Sequence, residues 1–168
     1  MNTEITIEAN PGSSEFSNFR DYKFLGINRL SIGAQTFNER ALKKIGRIHN
    51  SSDIKNAFDL ARRACFENIN VDIMYGLPDQ TTAEAIDDLD KAIALDPEHI
   101  SWYELTIEPN TRFFKTPPKV PSDIKKERMF EAGKEKLAAA GYAQYEISAY
   151  AKEGKQSKHN TNYWEFGD

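Results

Sequence analysis

Four polar residues stand within or just after short apolar runs of the sequence. They are Glu8 in EITIEAN, Gln35 in RLSIGAQ, Asp72 in NVDIMYG and Thr106 in HISWYELTIE. A carboxylate inside an apolar strand is costly unless a partner satisfies it. If the four groups converge at one edge of a sheet, they form a suitable shell for a polar ligand. The alternative is a structural polar layer that binds nothing.

The runs that carry these residues are predicted strands, at residues 4–10, 29–35, 70–76 and 99–108. A helical pattern follows each strand, and strand starts about 25–40 residues apart are typical of βα units in a parallel sheet. Alternation along RLSIGAQ puts Gly33 and Gln35 on the face opposite Ile32. Ligands bind at the carboxyl ends of strands in barrels and open sheets. The sequence therefore predicts an α/β fold whose polar side chains face a barrel interior or a sheet crevice.

Capping residues mark where the predicted helices begin. Asn38 is expected to cap a short helix, and Ser51 or Ser52 the next one. Thr81 and Glu84 match the capping-box pattern, in which two side chains satisfy the first backbone donors of a helix. These signals place helices after the second and third strands.

The last part of the chain has a different composition. The proline-rich segment KTPPKVPSD is a predicted connector, after which Ser122 caps a helix that runs through Ala140. One short strand, YAQYEISAYA, and a polar–aromatic tail, SKHNTNYWEFGD, follow. This part therefore extends the βα pattern with a helix, a strand and a tail.

The overall composition narrows the classes of protein. The 168 residues carry a net charge of −4 with an isoelectric point of about 5.5, which argues against a nucleic-acid surface. No apolar run approaches the roughly 20 residues of a membrane span. The single cysteine, Cys65, forms no internal disulfide and cannot hold a zinc or iron–sulfur site alone. These features predict a reducing, cytoplasmic setting.

Two single residues, Arg47 and His159, have both a functional and a structural interpretation, and three others have a structural interpretation only. Arg47 can clamp a carboxylate with its planar fork, or form a surface ion pair. His49 and His99 are expected to be a cap and a packed residue, and Cys65 is expected to be buried on a helical core face. His159 stands beside two aromatic residues, where an imidazole can ligate a metallated macrocycle axially or lie in solvent.

Several phrases together resemble the oxygen-independent coproporphyrinogen III oxidase-like family of radical S-adenosylmethionine (SAM) proteins. They are EANP, RLSIGAQTFNERALKKIGRIH, NINVDIMYGLPDQT, HISWYELTIEPNTRF, YEISAYA and HNTNYW. The resemblance covers nearly the whole chain and is closest to the heme-chaperone branch, HemW. The HNxxYW phrase, which begins at His159, favours that branch over the decarboxylating oxidase.

The resemblance implies a partial (β/α)6 barrel of the TIM-like type, in which SAM lies at the carboxyl ends of the strands. Residues 1–115 would be the third to sixth strands of that barrel, and residues 116–168 would lead into a further domain. The implied SAM contacts are Glu8, Gln35, Arg47, Asp72 and Thr106, the last against the adenosine part. His159 is the implied heme ligand. A SAM contact would give Asp72 the partner that a carboxylate in an apolar strand requires.

The sequence also departs from the family. It lacks the CxxxCxxC loop that holds the family's [4Fe–4S] cluster and the glycine-rich segment that holds the methionine part of SAM. We therefore expect an internal fragment that is inactive alone and exposes a strand edge, which invites an edge-strand dimer. The implied whole protein binds SAM, a [4Fe–4S] cluster and heme, and delivers heme to heme-requiring respiratory enzymes. The alternative is an oxidase that decarboxylates coproporphyrinogen III by radical chemistry.

Overall fold

Four parallel strands form the core sheet of the protein, for which a computed structural model describes residues 3–12 and 18–167. They are β1 (Thr6–Ala9), β2 (Arg29–Gln35), β3 (Ile69–Tyr75) and β4 (His99–Glu104). Each strand pairs in parallel with the next one along the chain. The predicted α/β fold is therefore confirmed.

The fourth strand is shorter than the predicted run to residue 108. Its neighbour β3 ends at Tyr75, and Gly76 then turns with a φ of 73°. Leu105 makes the last backbone contact, donating to the carbonyl of Tyr75 at 2.9 Å. Beyond this point β4 has no partner strand among the described residues, so Thr106 lies outside the sheet.

Helices connect the strands and cover their apolar face. They are α1 (Phe19–Phe24), α2 (Glu39–Lys44), α3 (Ser51–Arg63), α4 (Thr82–Ala94), α5 (Arg112–Lys115) and α6 (Asp123–Ala139). The core contains the alternating residues of the sheet, such as Leu30, Ile32 and Val71, packed with helix residues such as Ile54 and Leu89. Alternation along the strands thus separates an apolar face from a polar one. No helix within the part of the chain that the structure describes is long and apolar enough to cross a bilayer.

Two of the predicted caps are confirmed. The side chain of Asn38 accepts hydrogen bonds from the backbone of Arg40 and Ala41 at the start of α2. Thr81 and Glu84 form the predicted reciprocal capping box at the start of α4. Both helices therefore begin where their sequence signals place them.

The predicted cap of α3 at Ser51 or Ser52 is wrong. Asn50 is the capping residue, with extended backbone, and it forms a capping box with Asp53. Ser51 is already the first helical residue. Asparagine caps as well as serine does, and the acid three positions later supplies the second half of the box.

The prediction that Cys65 is buried is also wrong. Helix α3 ends at Arg63, and Cys65 follows the helix with a φ of 66° and an exposed side chain. Its neighbours Ala64 and Phe66 are buried instead. The spacing assumed that the helix continues to Cys65. Because α3 ends at Arg63, Cys65 does not lie on its buried face.

The predicted single strand near residue 145 is two strands. They are β5 (Ala143–Glu146) and β6 (Ala149–Ala151), a hairpin whose second strand pairs antiparallel with β4. The six-stranded sheet has the order β1-β2-β3-β4-β6-β5. The predicted tail also contains a helix, α7 (Lys158–Trp164), which Ser157 caps. Strand β1 pairs only with β2 among the described residues, and an edge-strand dimer stays a prediction.

A buried acid joins α4 to the segment that follows β2. Asp88, which is 1% exposed, accepts hydrogen bonds from the Thr36 hydroxyl at 2.6 Å and the Phe37 backbone N–H at 2.7 Å. The Gln80 amide approaches the same carboxylate at 3.4 Å. Asp88 thereby fixes the turn immediately after Gln35. Burial raises its pKa to about 6, although the bonds from Thr36 and Phe37 oppose the rise.

This pKa predicts a pH dependence of stability. The folded value lies above the ordinary 3.8, so the contribution of Asp88 is complete below pH 3.8 and is lost as the pH rises through about 6. Asp88→Asn does not titrate. We expect the free energy of unfolding of the wild type, relative to Asp88→Asn, to fall by up to about 3 kcal/mol between pH 4 and pH 7.

Urea unfolding at four pH values measures this difference. Asp59→Asn, a change at an exposed acid on α3, is the matched control and should leave the pH profile unchanged. A wild-type profile parallel to that of Asp88→Asn would contradict the prediction.

Candidate functional site

The carboxyl ends of the parallel strands surround a cavity of about 500 Å³, here called the strand-end cavity. Its lining residues are Glu8, Ala9, Asn10, Ser31, Gly33, Gln35, Arg47, Asp72, Ser101, Tyr103 and Ser148. Four of the residues predicted from the sequence therefore meet at one cavity. The residues on the polar face of β2, from Ser31 to Gln35, line it as strand alternation predicts.

Asp72 has structural partners and also faces this cavity. Its two carboxylate oxygens accept hydrogen bonds from the Ser31 hydroxyl at 2.9 Å and the Asn70 amide at 2.8 Å. Asp72 lies in the middle of β3 rather than at its end. A carboxylate has about four acceptor sites, so two remain for a ligand. The structural and the ligand-binding interpretations are compatible at this residue.

A chain of hydrogen bonds connects Asp72 to the amino-terminal side of the sheet. Asn70 accepts from His99 Nδ1 at 2.6 Å, and Tyr145 donates to His99 Nε2 at 2.7 Å. Burial lowers the pKa of His99 to about 3, and the positive charge of Arg29 lowers it further in the same direction. His99 is therefore a neutral, packed residue, as predicted.

Gln35 is held at the cavity by backbone and side-chain contacts. It ends β2 with a φ of 68°, beyond an irregularity in the pairing with β3. The Tyr103 hydroxyl donates to Gln35 Oε1 at 2.6 Å, which leaves the amide nitrogen as a donor. A Cβ atom on Gly33 would lie 3.1 Å from that nitrogen and 3.2 Å from Asn10 Oδ1. The absence of a side chain at Gly33 keeps this part of the cavity open.

Tyr103 is a cavity residue that the sequence reasoning missed. Burial first, and the nearby Asp72 charge second, raise its pKa to about 12, so its hydroxyl stays a donor at neutral pH. Strand alternation could have found it, because Tyr103 lies two residues after Ser101 on the same face of β4. Because Tyr103 has an aromatic ring, its place in the sequence pattern is that of a core residue.

Arg47 reaches the cavity from the end of α2. Gly46, with a φ of 76°, donates to the carbonyl of Lys43, and Arg47 donates to that of Leu42 at 2.9 Å. This pair of bonds is a Schellman motif, which fixes the direction of the chain after the helix. Arg47 Nη1 donates to Asn10 Oδ1 at 3.1 Å. The surface ion pair that was the alternative is not found among the described residues.

Glu8 and His49, two further residues singled out from the sequence, differ in their exposure to solvent. Glu8 is exposed on β1, beside Ser31 of β2, and lines the cavity. His49 is buried and its Nε2 lies 3.2 Å from the Ala34 carbonyl, so it packs against β2 rather than capping α3. Burial lowers the pKa of His49.

Thr106 does not line the strand-end cavity. It is exposed and lines a separate cavity of about 250 Å³, with residues that include Gly46, Glu108 and Phe113. Gly46 directly precedes Arg47, so the two cavities flank the same short segment. The contact of Thr106 with SAM stays a prediction.

A further cavity, of about 270 Å³, lies at the amino-terminal side of the sheet and is called the floor cavity. It shares Glu8, Ser31, Asp72 and Ser101 with the strand-end cavity. Helix α7 borders it through His159 and Asn160, and the capping residue Ser157 also lines it. His159 is exposed, and its ring lies 5.0 Å from that of Tyr163 in an edge-on arrangement.

The side chains around the strand-end cavity fit SAM. Two acids suit its amino group and ribose hydroxyls, and the guanidinium of Arg47 suits its carboxylate. They do not fit a [4Fe–4S] cluster, which is held by cysteine thiolates. Cys65 is exposed at the end of α3 and lines neither cavity. In residues 3–12 and 18–167, no group of three or more His, Cys, Asp or Glu side chains could hold a metal ion.

Comparison with known proteins identifies close relatives. The heme chaperone HemW of Haemophilus influenzae is 54% identical over 167 residues, which cover 99% of this chain and 44% of that protein. The heme chaperone HemW of Escherichia coli K12 is 54% identical over 165 residues, covering 98% and 44%. The chain thus spans less than half the length of these two relatives.

The fold and the family are identified by two further matches. The solved structure of the E. coli coproporphyrinogen III oxidase HemN, described as a radical SAM enzyme, superposes with a TM-score of 0.83 at 25% identity. The match covers 97% of this chain and 38% of that one. The family model of the Radical SAM superfamily matches residues 1–92. With its parallel strands and polar strand-end cavity, this chain belongs to the radical SAM superfamily.

Proposed function

We propose that this chain is the SAM-holding part of a heme chaperone. The whole protein would bind SAM, a [4Fe–4S] cluster and heme, and would deliver heme to heme-requiring respiratory enzymes in the cytoplasm. The observation that carries the proposal is the convergence of Glu8, Gln35, Arg47 and Asp72 on the strand-end cavity. The similarity to the HemW heme chaperones supports the assignment to heme traffic.

Four side chains of the cavity have distinct parts in holding SAM. The carboxylates of Glu8 and Asp72 accept from the amino group and the ribose hydroxyls, and Arg47 donates to the carboxylate. Gln35, oriented by Tyr103, offers its amide nitrogen. When bound beside a reduced cluster, SAM supplies radical chemistry. This chain binds and orients SAM, and the cluster takes its ligands from elsewhere in the protein.

SAM binding tests the roles of Glu8 and Arg47, two charged residues of the cavity that have few contacts with other side chains. In the natural full-length protein, Glu8→Gln and Arg47→Gln should each weaken SAM binding about 10- to 100-fold, because each removes a charge-assisted hydrogen bond. Isothermal titration calorimetry measures the affinity, and the thermal midpoint Tm verifies folding.

Arg63→Gln is the matched control, since Arg63 is exposed on α3 and lines neither cavity. If both cavity variants fold and bind SAM as the wild type does, the polar groups are a structural layer and the proposed site is wrong.

His159 is the proposed axial ligand of heme. It lies on α7, whose start is fixed by Ser157, and its imidazole is exposed beside the ring of Tyr163. An exposed imidazole is available to a metal, and an adjacent aromatic ring can pack against a flat macrocycle. The position of His159 at the border of the floor cavity supports this proposal.

Heme titration followed by the Soret absorbance tests this ligand. We expect His159→Ala in the full-length protein to lose the Soret shift of the wild type, because the axial imidazole is removed. Asn162→Ala, on the same helix, should retain the shift. Identical shifts in wild type and His159→Ala would remove His159 from the heme site.

A radical SAM oxidase acting on coproporphyrinogen III is the second candidate, favoured by the TM-score of 0.83 with HemN. An anaerobic assay of the full-length protein with SAM and coproporphyrinogen III separates the two. We expect no decarboxylated product, because the HNTNYW phrase matches the chaperone branch, whereas HemN should convert the substrate in parallel. Product formation would establish the oxidase instead.

A further inference from the structure

A buried arginine at the floor cavity has no partner for its charge among the residues that the structure describes. Arg29 is 6% exposed, and its Nε atom is buried without a hydrogen-bond partner. Throughout the described ranges, no hydrogen bond or ion pair to the Arg29 side chain is found, and only its backbone N–H donates, to Ile5. A buried guanidinium without an anion is strongly unfavourable.

The position of Arg29 directs it into the floor cavity. Arg29 opens β2 and lies two residues before Ser31, so both side chains share the polar face. Both residues line the floor cavity, and Thr6 is the neighbour of Arg29 on β1. The acids Glu8 and Asp72 lie one or more residue layers further along the strands, and neither forms an ion pair with Arg29 within 4 Å in the described structure.

The positive charge of Arg29 also affects the pKa of its neighbour His99. The Arg29 charge adds to burial in lowering the pKa of His99, which is tied between Asn70 and Tyr145. His99 is therefore neutral and adds no second cation. Arg29 is the positive group at this end of the floor cavity, and Asn160 of α7 and its capping residue Ser157 complete the wall.

We infer that the floor cavity is a binding site for a carboxylate group, with Arg29 as its counter-ion. A carboxylate matches the planar fork of a guanidinium and gives Arg29 the anion that it lacks. A volume of about 270 Å³ admits a small carboxylate or the carboxylate arm of a larger molecule.

Two sources can supply this carboxylate. One is a free short-chain carboxylate. The other is a propionate arm of a tetrapyrrole, since His159 borders the same cavity. Only the second source rests on the proposed heme function.

Ligand-dependent stability tests the site in the natural full-length protein. Sodium propionate, compared with sodium chloride at equal ionic strength, should raise the Tm of the wild type. Arg29→Gln should bind propionate at least tenfold more weakly, because the charged fork is lost. Arg63→Gln removes the same charge at an exposed position and should respond as the wild type does. If Arg29→Gln does not fold, Arg29→Lys keeps the charge without the fork and should respond more weakly.

Porphyrin binding distinguishes the sources. Protoporphyrin IX should bind the wild type more tightly than Arg29→Gln when a propionate arm is the ligand, whereas its dimethyl ester should bind both equally. A propionate response alone assigns the site to a free carboxylate. If neither propionate nor protoporphyrin distinguishes Arg29→Gln from the wild type, the inference is overturned. Because the propionate response does not depend on His159, loss of Soret binding in His159→Ala tests the proposed function separately.

Discussion

A directional chain of hydrogen bonds that ends at Asp72 organises the polar face of the sheet. Tyr145 donates to His99, His99 donates to Asn70, and Asn70 donates to Asp72. The first two steps require a neutral imidazole, which burial and the charge of Arg29 favour, with its proton on Nδ1, where Asn70 Oδ1 accepts it. Parallel pairing makes the chain possible, because its register places polar residues of successive strands side by side. The polar layer is thus satisfied internally and still borders two cavities.

This arrangement removes the apparent choice between a structural layer and a ligand site. Asp72 accepts a hydrogen bond from Ser31 that joins β3 to β2, and the same carboxylate lines the strand-end cavity. A buried network in which every member has a partner is rigid. A rigid wall is also what a ligand shell needs, since its groups lose little freedom on binding. Arg29 is the exception, because the network provides it with no acceptor in the described residues.

Local backbone features position the groups that do not belong to this chain of bonds. A Schellman motif at Gly46 directs Arg47, and buried Asp88 fixes the turn that follows Gln35. The bare backbone of Gly33 leaves the space that these side chains share. Side chains far apart in sequence therefore meet because each is held by a short-range feature of its own segment. The resulting site combines rigid strands with two segments of fixed conformation, the one that carries Arg47 and the turn after Gln35.

The sequence by itself determined the α/β class, two helix caps and the polar face of β2, because strand alternation and capping act between near neighbours. It also identified Glu8, Gln35 and Asp72 as residues of the strand-end cavity, since parallel strands bring their carboxyl ends to one edge, and the family resemblance added Arg47. Only the tertiary structure decided that Thr106 lies in another cavity, that Cys65 is exposed and that Tyr103 orients Gln35. These outcomes depend on where a neighbouring strand ends, where a helix stops and which side chain lies opposite. No pattern within one segment contains that information, because it arises from contacts between segments distant in sequence.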